Sequence, residues 1–127
     1  MIKVVAAIIR NNQNEIFIAQ RNQNKSQGGL WEFPGGKIEP NETENQAIIR
    51  EIKEELDMDI TVIDKYTEII YEYPGKTINL IVLNCQMNDN HYALLEHQDC
   101  AWIVPSNLKN YKFAPADKII VSKLTKI

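Results

Sequence analysis

Three glutamates, Glu51, Glu54 and Glu55, stand at i, i+3 and i+4, a spacing that puts all three on one face of a helix. Like charges so placed repel one another, and the cluster calls for a positive partner. A hard divalent cation is such a partner, and Mg²⁺ favours a few carboxylates plus waters and phosphate oxygens over an all-protein cage. Upstream, Gly35-Gly36 supplies backbone that can approach a metal or a phosphate with no Cβ in the way. These features point to metal-assisted phosphate chemistry. A Glu-rich helix face taken alone is commonly just solvated. Here it comes in fixed register with Gly36, Glu42 and Arg50.

The elements that must position these groups follow from local pattern. The clearest helix runs from about Thr43 to Leu56. Thr43 with Gln46 fits a capping box, and Asn41 with Glu44 is a competing start. At 100° per residue Ile48, Ile49, Ile52 and Leu56 form the stripe expected to be buried, about 115° around from the centre of the glutamates. One side would dock on a sheet while the other presents carboxylates to a cleft. Before the helix, the apolar run Val4–Ile9 reads as a buried strand, and residues 14–21 as a second strand pairing with it in a hairpin. Residues 22–30 form a polar loop, and Leu30-Trp31-Glu32-Phe33 alternates until Pro34-Gly35-Gly36 breaks the pattern. Strand-like runs follow at 61–63, 67–73, 77–85 and 101–104, with Pro74-Gly75-Lys76 as a hairpin turn. Ala116, Ile120 and Leu124, with Ile119 beside them, make residues 116–124 an amphipathic closing helix. The order predicts a layered α+β or mixed α/β class.

The 127 residues suit one domain, 1–127, long enough to fold without a disulfide or a structural metal. Hydrophobic residues make up 44% and charged ones 24%, too apolar for a disordered chain. Fourteen basic and 17 acidic side chains leave a net charge of −3, which argues against a nucleic-acid polymer as partner but not against a small anion. Cys85 and Cys100 lack metal-ligand spacing, and His91 and His97 stay unassigned. The six-residue apolar run near the N-terminus is too short for a signal peptide core or a membrane span. A cytoplasmic protein with no membrane partner is expected.

The stretch from Gly36 to Met58 resembles the box of the Nudix hydrolases, G-x5-E-x7-R-E-U-x-E-E-x-G-U with U aliphatic. Gly36, Glu42, Arg50, Glu51, Ile52, Glu54, Glu55 and Met58 match eight of its nine defined positions. Asp57 stands where the family has glycine. A left-handed residue at a helix C-terminus costs Asp more than Gly, and its charge faces the wrong end of the helix dipole, so some stability or a shifted helix end is expected to be lost, not the chemistry. Leu30 to Lys37, Glu96-His97-Gln98 with Trp102, and Ala114-Pro115-Ala116-Asp117 are similar to segments of the MutT-like and CTP pyrophosphohydrolase branches.

The resemblance implies the Nudix fold, a mixed β-sheet between helices, and hydrolysis of a nucleoside triphosphate to a monophosphate and pyrophosphate. It implies Mg²⁺, with Mn²⁺ as a substitute, held by Glu51, Glu54, Glu55, Glu96 and a carbonyl of Gly35 or Gly36. Either Glu51 or Glu96 would be the general base. Arg50 joins the catalytic set, either on phosphate or holding the carboxylates, and Glu42 is structural. Substrate binding falls to Arg21, Glu32, Phe33, Lys37 and Asp117, where Phe33 equally fits a core strand and Asp117 equally fits the start of the last helix. An ionised Asp117 only accepts hydrogen bonds, from the amine of cytosine or from N7–H of 8-oxoguanine. The implied substrate is 8-oxo-dGTP, with CTP or dCTP as the alternative; a non-catalytic nucleotide-binding module is the rival of another class. A monomer or homodimer fits equally.

Overall fold

In the computed structural model, which describes residues 1–126, seven strands and two α-helices keep the predicted order of strands, helix, strands and helix, although Gly35–Lys37, expected only to break the preceding pattern, forms a strand of its own. They are β1 (Ile2–Ile9), β2 (Ile16–Gln20), β3 (Trp31–Glu32), β4 (Gly35–Lys37), α1 (Glu44–Leu56), β5 (Ile60–Tyr73), β6 (Lys76–Met87), β7 (Asp99–Ile103) and α2 (Pro115–Leu124), with a short 3-10 turn at Pro105–Asn110. A four-stranded mixed sheet has the order β4-β1-β6-β5, and a three-stranded antiparallel sheet the order β3-β2-β7. β1 runs parallel to β6, from Ile2 beside Ile78 to Ile9 beside Cys85.

The continuous apolar run of β1 has a layered explanation. Val5, Ala7 and Ile9 pack on the α1 side with Ala47, Ile48, Ile52 and Leu56, whereas Ala6 and Ile8 pack on the α2 side with Ala116, Ile120 and Val121. A strand covered on both faces needs apolar residues at every position. β2 divides in the same way, Phe17 and Ala19 toward α1, Ile16 and Ile18 toward α2. The α/β/α layering expected from the sequence is therefore present.

Three expectations are corrected. β1 and β2 do not form a hairpin: β4 and β6 occupy both edges of β1, and the link to β2 is reduced to a single bridge between Arg10 and Ile16. The runs 61–63 and 67–73 belong to one strand, β5, whose register against β6 shifts between Val62 and Asp64 and between Lys65 and Thr67. Such bulges break the alternation on which the sequence reading relied. Ile49, placed in the buried stripe, is 44% exposed, and Ala47 takes its place in the core.

The local chemistry of α1 is as the sequence indicates. Thr43 Oγ accepts from the Gln46 N–H at 3.1 Å and the Gln46 side chain accepts from the Thr43 N–H at 2.9 Å, a complete capping box. Asn41 is not the cap. Asp57 closes the helix without shifting its end, in the left-handed conformation (φ 50°, ψ 39°) expected of the glycine it replaces. The Pro74-Gly75 turn joins β5 to β6, with Gly75 at φ 86° as a tight turn requires. Truncating fully buried Ile52 to Ala is expected to lower stability by about 2–5 kcal/mol in urea unfolding, against less than about 0.5 kcal/mol for Ile49→Ala.

Candidate active site

The face of α1 opposite its apolar stripe meets β4, and the contact is too close for any side chain on Gly36. A Cβ there would lie on the Glu51 carboxyl group, and a Cβ on Gly35 would run into the Val5 carbonyl of β1. Gly36 pairs with Val5 in the β4–β1 ladder, so the sheet fixes this backbone against the helix. The two glycines thus let main chain reach the acidic face.

Arg50 organises that face. Nε and Nη2 grip both oxygens of Glu42, at 2.6 and 3.0 Å, Nη1 reaches Glu51 at 3.0 Å and Glu54 at 3.3 Å, and Nη2 also meets the Lys37 carbonyl at 3.1 Å. All five guanidinium N–H donors are therefore used. Arg50 has none left for phosphate, so of its two open roles the geometry gives holding the carboxylates. Glu42 in turn accepts from the Glu39 N–H at 2.9 Å, closing the loop onto the helix, and its acidity is raised to a pKa of about 2 chiefly by Arg50.

The three glutamates are not equivalent. Glu54 is half-exposed, Glu51 mostly buried, and Glu55 is the buried charged residue of the core, with Oε1 lacking any hydrogen-bond partner. Burial pushes the Glu55 carboxyl up, and its hydrogen bond to Glu51 and the charges of Glu32, Glu51 and Glu96 push it further. An orphaned carboxylate oxygen surrounded by carboxylates, beneath a glycine backbone, is an environment that a divalent cation would neutralise. The donor set fits such an ion, although among the described residues no three of these groups are already drawn together at ligating distance. Glu51, Glu54, Glu55 and the Gly35–Gly36 backbone are the groups that could hold it.

Around Glu55 lies a cleft of about 100 Å³ lined by Arg21, Asn22, Lys25, Glu32, Gly35, Glu96 and His97. Glu96 therefore lines the same cleft as Glu55. His97, left unassigned there, is at the centre. Its side chain is 6% exposed, Nε2 lies 2.8 Å from Glu32 Oε2 and 4.0 Å from Glu55 Oε1, and Nδ1 has no partner. Its neighbour Glu96 was the only available signal, because His97's partners come from distant segments of the chain.

A second cavity of about 280 Å³ shares Arg21 and Glu32 with the first and continues to Gly36, Lys37, Tyr73, Lys76, Ile78, Leu80, Ala116 and Asp117. Arg21 and Glu32, joined at 3.0 Å, form the partition between the two. Phe33, expected either in the base pocket or in the core, is a core residue: 3% exposed, stacked on Phe113, and absent from the cavity lining. Its N–H donates to Asp117 Oδ1 at 3.0 Å. Tyr73, Ile78 and Leu80 were not singled out from sequence, although the alternation of Ile78 and Leu80 along β6 put them on one face. The largest cavity, about 500 Å³, is lined by Arg10, Asn84 and residues 86–90 and shares no residue with this site.

Asp117 retains some exposure, but its carboxyl group is enclosed. Burial pushes it up to about 8, helped by the negative charge of Glu32 and opposed by the Phe33 N–H and Arg21. Burial thus favours the neutral form of Asp117, which can donate as well as accept, over the ionised form expected from the sequence.

Comparison with known proteins agrees with this geometry. The NUDIX domain matches residues 5–123, and the chain belongs to that family, whose hydrolases need a divalent metal. It is 42% identical over 119 residues to the CTP pyrophosphohydrolase of Escherichia coli K12, covering 92% of this chain and 86% of that protein. To the 8-oxo-dGTP diphosphatase of the same organism it is 32% identical over 126 residues, covering 99% and 98%. The solution structure of the E. coli ORF135 protein superimposes with a TM-score of 0.82 at 39% identity, covering 96% of this chain and 86% of that one.

Two outcomes are expected. Gly36→Ala forces the Glu51 carboxyl aside, and divalent-cation affinity measured by calorimetry should fall by about tenfold or more while the fold persists. The folded protein holds the Asp117 proton between the unfolded value of 3.8 and about 8. Stability from this group is therefore full below about pH 4 and is lost as pH rises through about 8. Unfolding midpoints from pH 5 to 9 should decline less in Asp117→Asn than in the natural chain.

Proposed function

We propose that this Nudix enzyme is a MutT-type nucleoside triphosphate pyrophosphohydrolase that acts on 8-oxo-dGTP and releases 8-oxo-dGMP and pyrophosphate. The observation that carries the reading is the pair of adjoining cavities, one holding Glu55 and Glu96 and the other setting the enclosed Asp117 beside Tyr73, Ile78 and Leu80 with lysines at its edge, separated by the Arg21–Glu32 partition. A triphosphate crossing that partition would meet Arg21 midway, with its base on the Asp117 side. Phosphates would then lie toward Glu51, Glu54, Glu55 and Glu96. Lys37, exposed at the rim of the larger cavity, would add a positive charge. A soluble nucleotide pool such as that of the cytoplasm is the fitting location, and no described helix is long and apolar enough to cross a membrane.

Mg²⁺ is the favoured ion, with Mn²⁺ able to replace it, because the donors are all oxygens. When bound, the ion neutralises charge on the phosphoryl oxygens and acidifies water. Glu51, Glu54 and Glu55, with a carbonyl of Gly35 or Gly36, would hold it. Arg50 keeps the first two glutamates in place. Glu96, on the exposed side of the cleft, or Glu51 takes the proton from the attacking water. Glu32 orients Arg21 and is itself fixed by His97.

A protonated Asp117 presents an O–H donor beside a carbonyl acceptor. On 8-oxoguanine these match O6 and N7–H. Unmodified guanine offers acceptors at both places and would leave two lone pairs opposed, a cost of about 1–3 kcal/mol. Cytosine offers N3 and the N4 amine, an equally matched pair. This match and the 42% identity to a CTP pyrophosphohydrolase favour CTP or dCTP as a second reading.

Pyrophosphate release from dGTP, 8-oxo-dGTP, CTP and dCTP with Mg²⁺ tests these readings. The expected result is the highest kcat/KM for 8-oxo-dGTP and a loss of at least about 100-fold in kcat for Glu54→Gln. A lead for the cytosine nucleotides moves the assignment to the second reading. No turnover by a folded chain overturns both and leaves a binding module.

A further inference from the structure

Asp57 does more than fill the left-handed position at the end of α1. Its carboxylate lies 2.8 Å from Nε2 of His91 and 3.1 Å from Nζ of Lys53. Lys53 also pairs with Asp59 at 3.2 Å. His91 belongs to the connection between β6 and β7, residues 88–98, which also carries Glu96 and His97. The His91 N–H donates to Asp89 Oδ1 at 2.9 Å, fixing the turn that presents the ring. Beyond it, the Ala93 N–H donates to the Leu56 carbonyl at 2.7 Å and the Leu95 N–H to the Glu55 carbonyl at 3.0 Å. Carbonyls that a helix leaves unpaired in its last turn are thus capped by the very segment that bears Glu96.

The ends of the connection are tied, the Asn88 N–H to the Asp59 carbonyl at 2.9 Å and the Gln98 N–H to the Gln20 carbonyl at 3.1 Å, but its middle has little else to hold it. It contains no regular element, and Leu94, Leu95 and Glu96 are exposed. Tyr92 packs edge-on to Phe17 and Trp102, and His97 is anchored on Glu32. Between those two anchors only the backbone bonds to Leu56 and Glu55 fix the path, and the Asp57–His91 contact stands immediately before them. A glycine in place of Asp57 would keep the turn but leave His91 with no group to hold. The carboxylate at the negative end of the helix dipole is made tolerable by the hydrogen bond to His91 and the charge of Lys53, which together lower the Asp57 pKa.

We propose that Asp57 and His91 form a clasp that fastens the 88–98 connection to the end of α1, making both of them positioning residues for Glu96. The proposal rests on the reading of Glu96 as a site residue, and it gives the departure from the box glycine a use. The clasp acts on where the Glu96 carboxylate sits and not on nucleotide affinity, so its loss should appear in kcat and leave KM nearly unchanged.

The test is a double-mutant cycle with Asp57→Gly and His91→Ala in the full chain. Steady-state kinetics would be combined with hydrogen exchange at the Ala93 and Leu95 amides. Asp57→Gly relaxes the φ of 50° and keeps the fold. Each single variant is expected to lose roughly tenfold in kcat with KM within about twofold. Exchange at both amides should quicken by about tenfold, and the double variant should be no worse than either single one. Unchanged kcat, or additive losses in the double variant, would overturn the proposal, whatever happens to the amides. A natural chain without turnover counts against the functional reading alone, because exchange at Ala93 and Leu95 still decides the clasp; unchanged protection there overturns it.

Discussion

Repulsion among carboxylates is the constraint on which this structure turns. Glu55 is buried beside Glu51, in the field of Glu32 and Glu96, and one of its oxygens has no partner. The nearby guanidinium groups are committed elsewhere, Arg50 to Glu42, Glu51 and Glu54, and Arg21 to Glu32. Burying a carboxyl without a counter-charge costs stability, and a fold keeps such a group only where other packing offsets the cost. The offset lies directly behind it. Ile48, Ile52 and Leu56 seal the other side of α1 against β1 and β6 with no exposed surface.

The sheet converts that helix into a site. Because β1 is interior and buried on both faces, β4 beside it is held at a fixed distance from α1, and only glycine fits in the gap. The three-stranded sheet supplies the opposite wall through β2, β3 and the segment before β7, which bring Arg21, Glu32 and His97 together. Neither sheet holds a complete set of groups. The cleft exists only where the two meet.

What the sequence made legible was whatever depends on neighbours within a few residues. The capping box at Thr43 and Gln46 and the turn at Pro74-Gly75 follow from local geometry and are present. The left-handed Asp57 was anticipated, but His91, the partner that stabilises it, was not, because the two are 34 residues apart. Strand pairing failed for the same reason. Proximity along the chain suggests a β1–β2 hairpin, yet β1 has a parallel partner in β6 that no local pattern announces. Ile49 satisfied helical periodicity and is still exposed, because the apolar arc on α1 is narrower than the periodicity allowed and Ala47 closes it.

Glu32 shows why the two cavities cannot be treated separately. One of its oxygens takes Arg21 and the other takes His97, so its orientation is fixed from both sides of the partition. Its charge reaches Glu55 in one cavity and Asp117 in the other, and in both cases favours the protonated acid. A change in charge at Arg21 or Glu32 is therefore felt by Asp117 as well as by Glu55. On the proposed reading, selectivity at Asp117 would then depend on a protonation state set partly by the pair that separates the two cavities, and one carboxylate would serve both ends of the substrate.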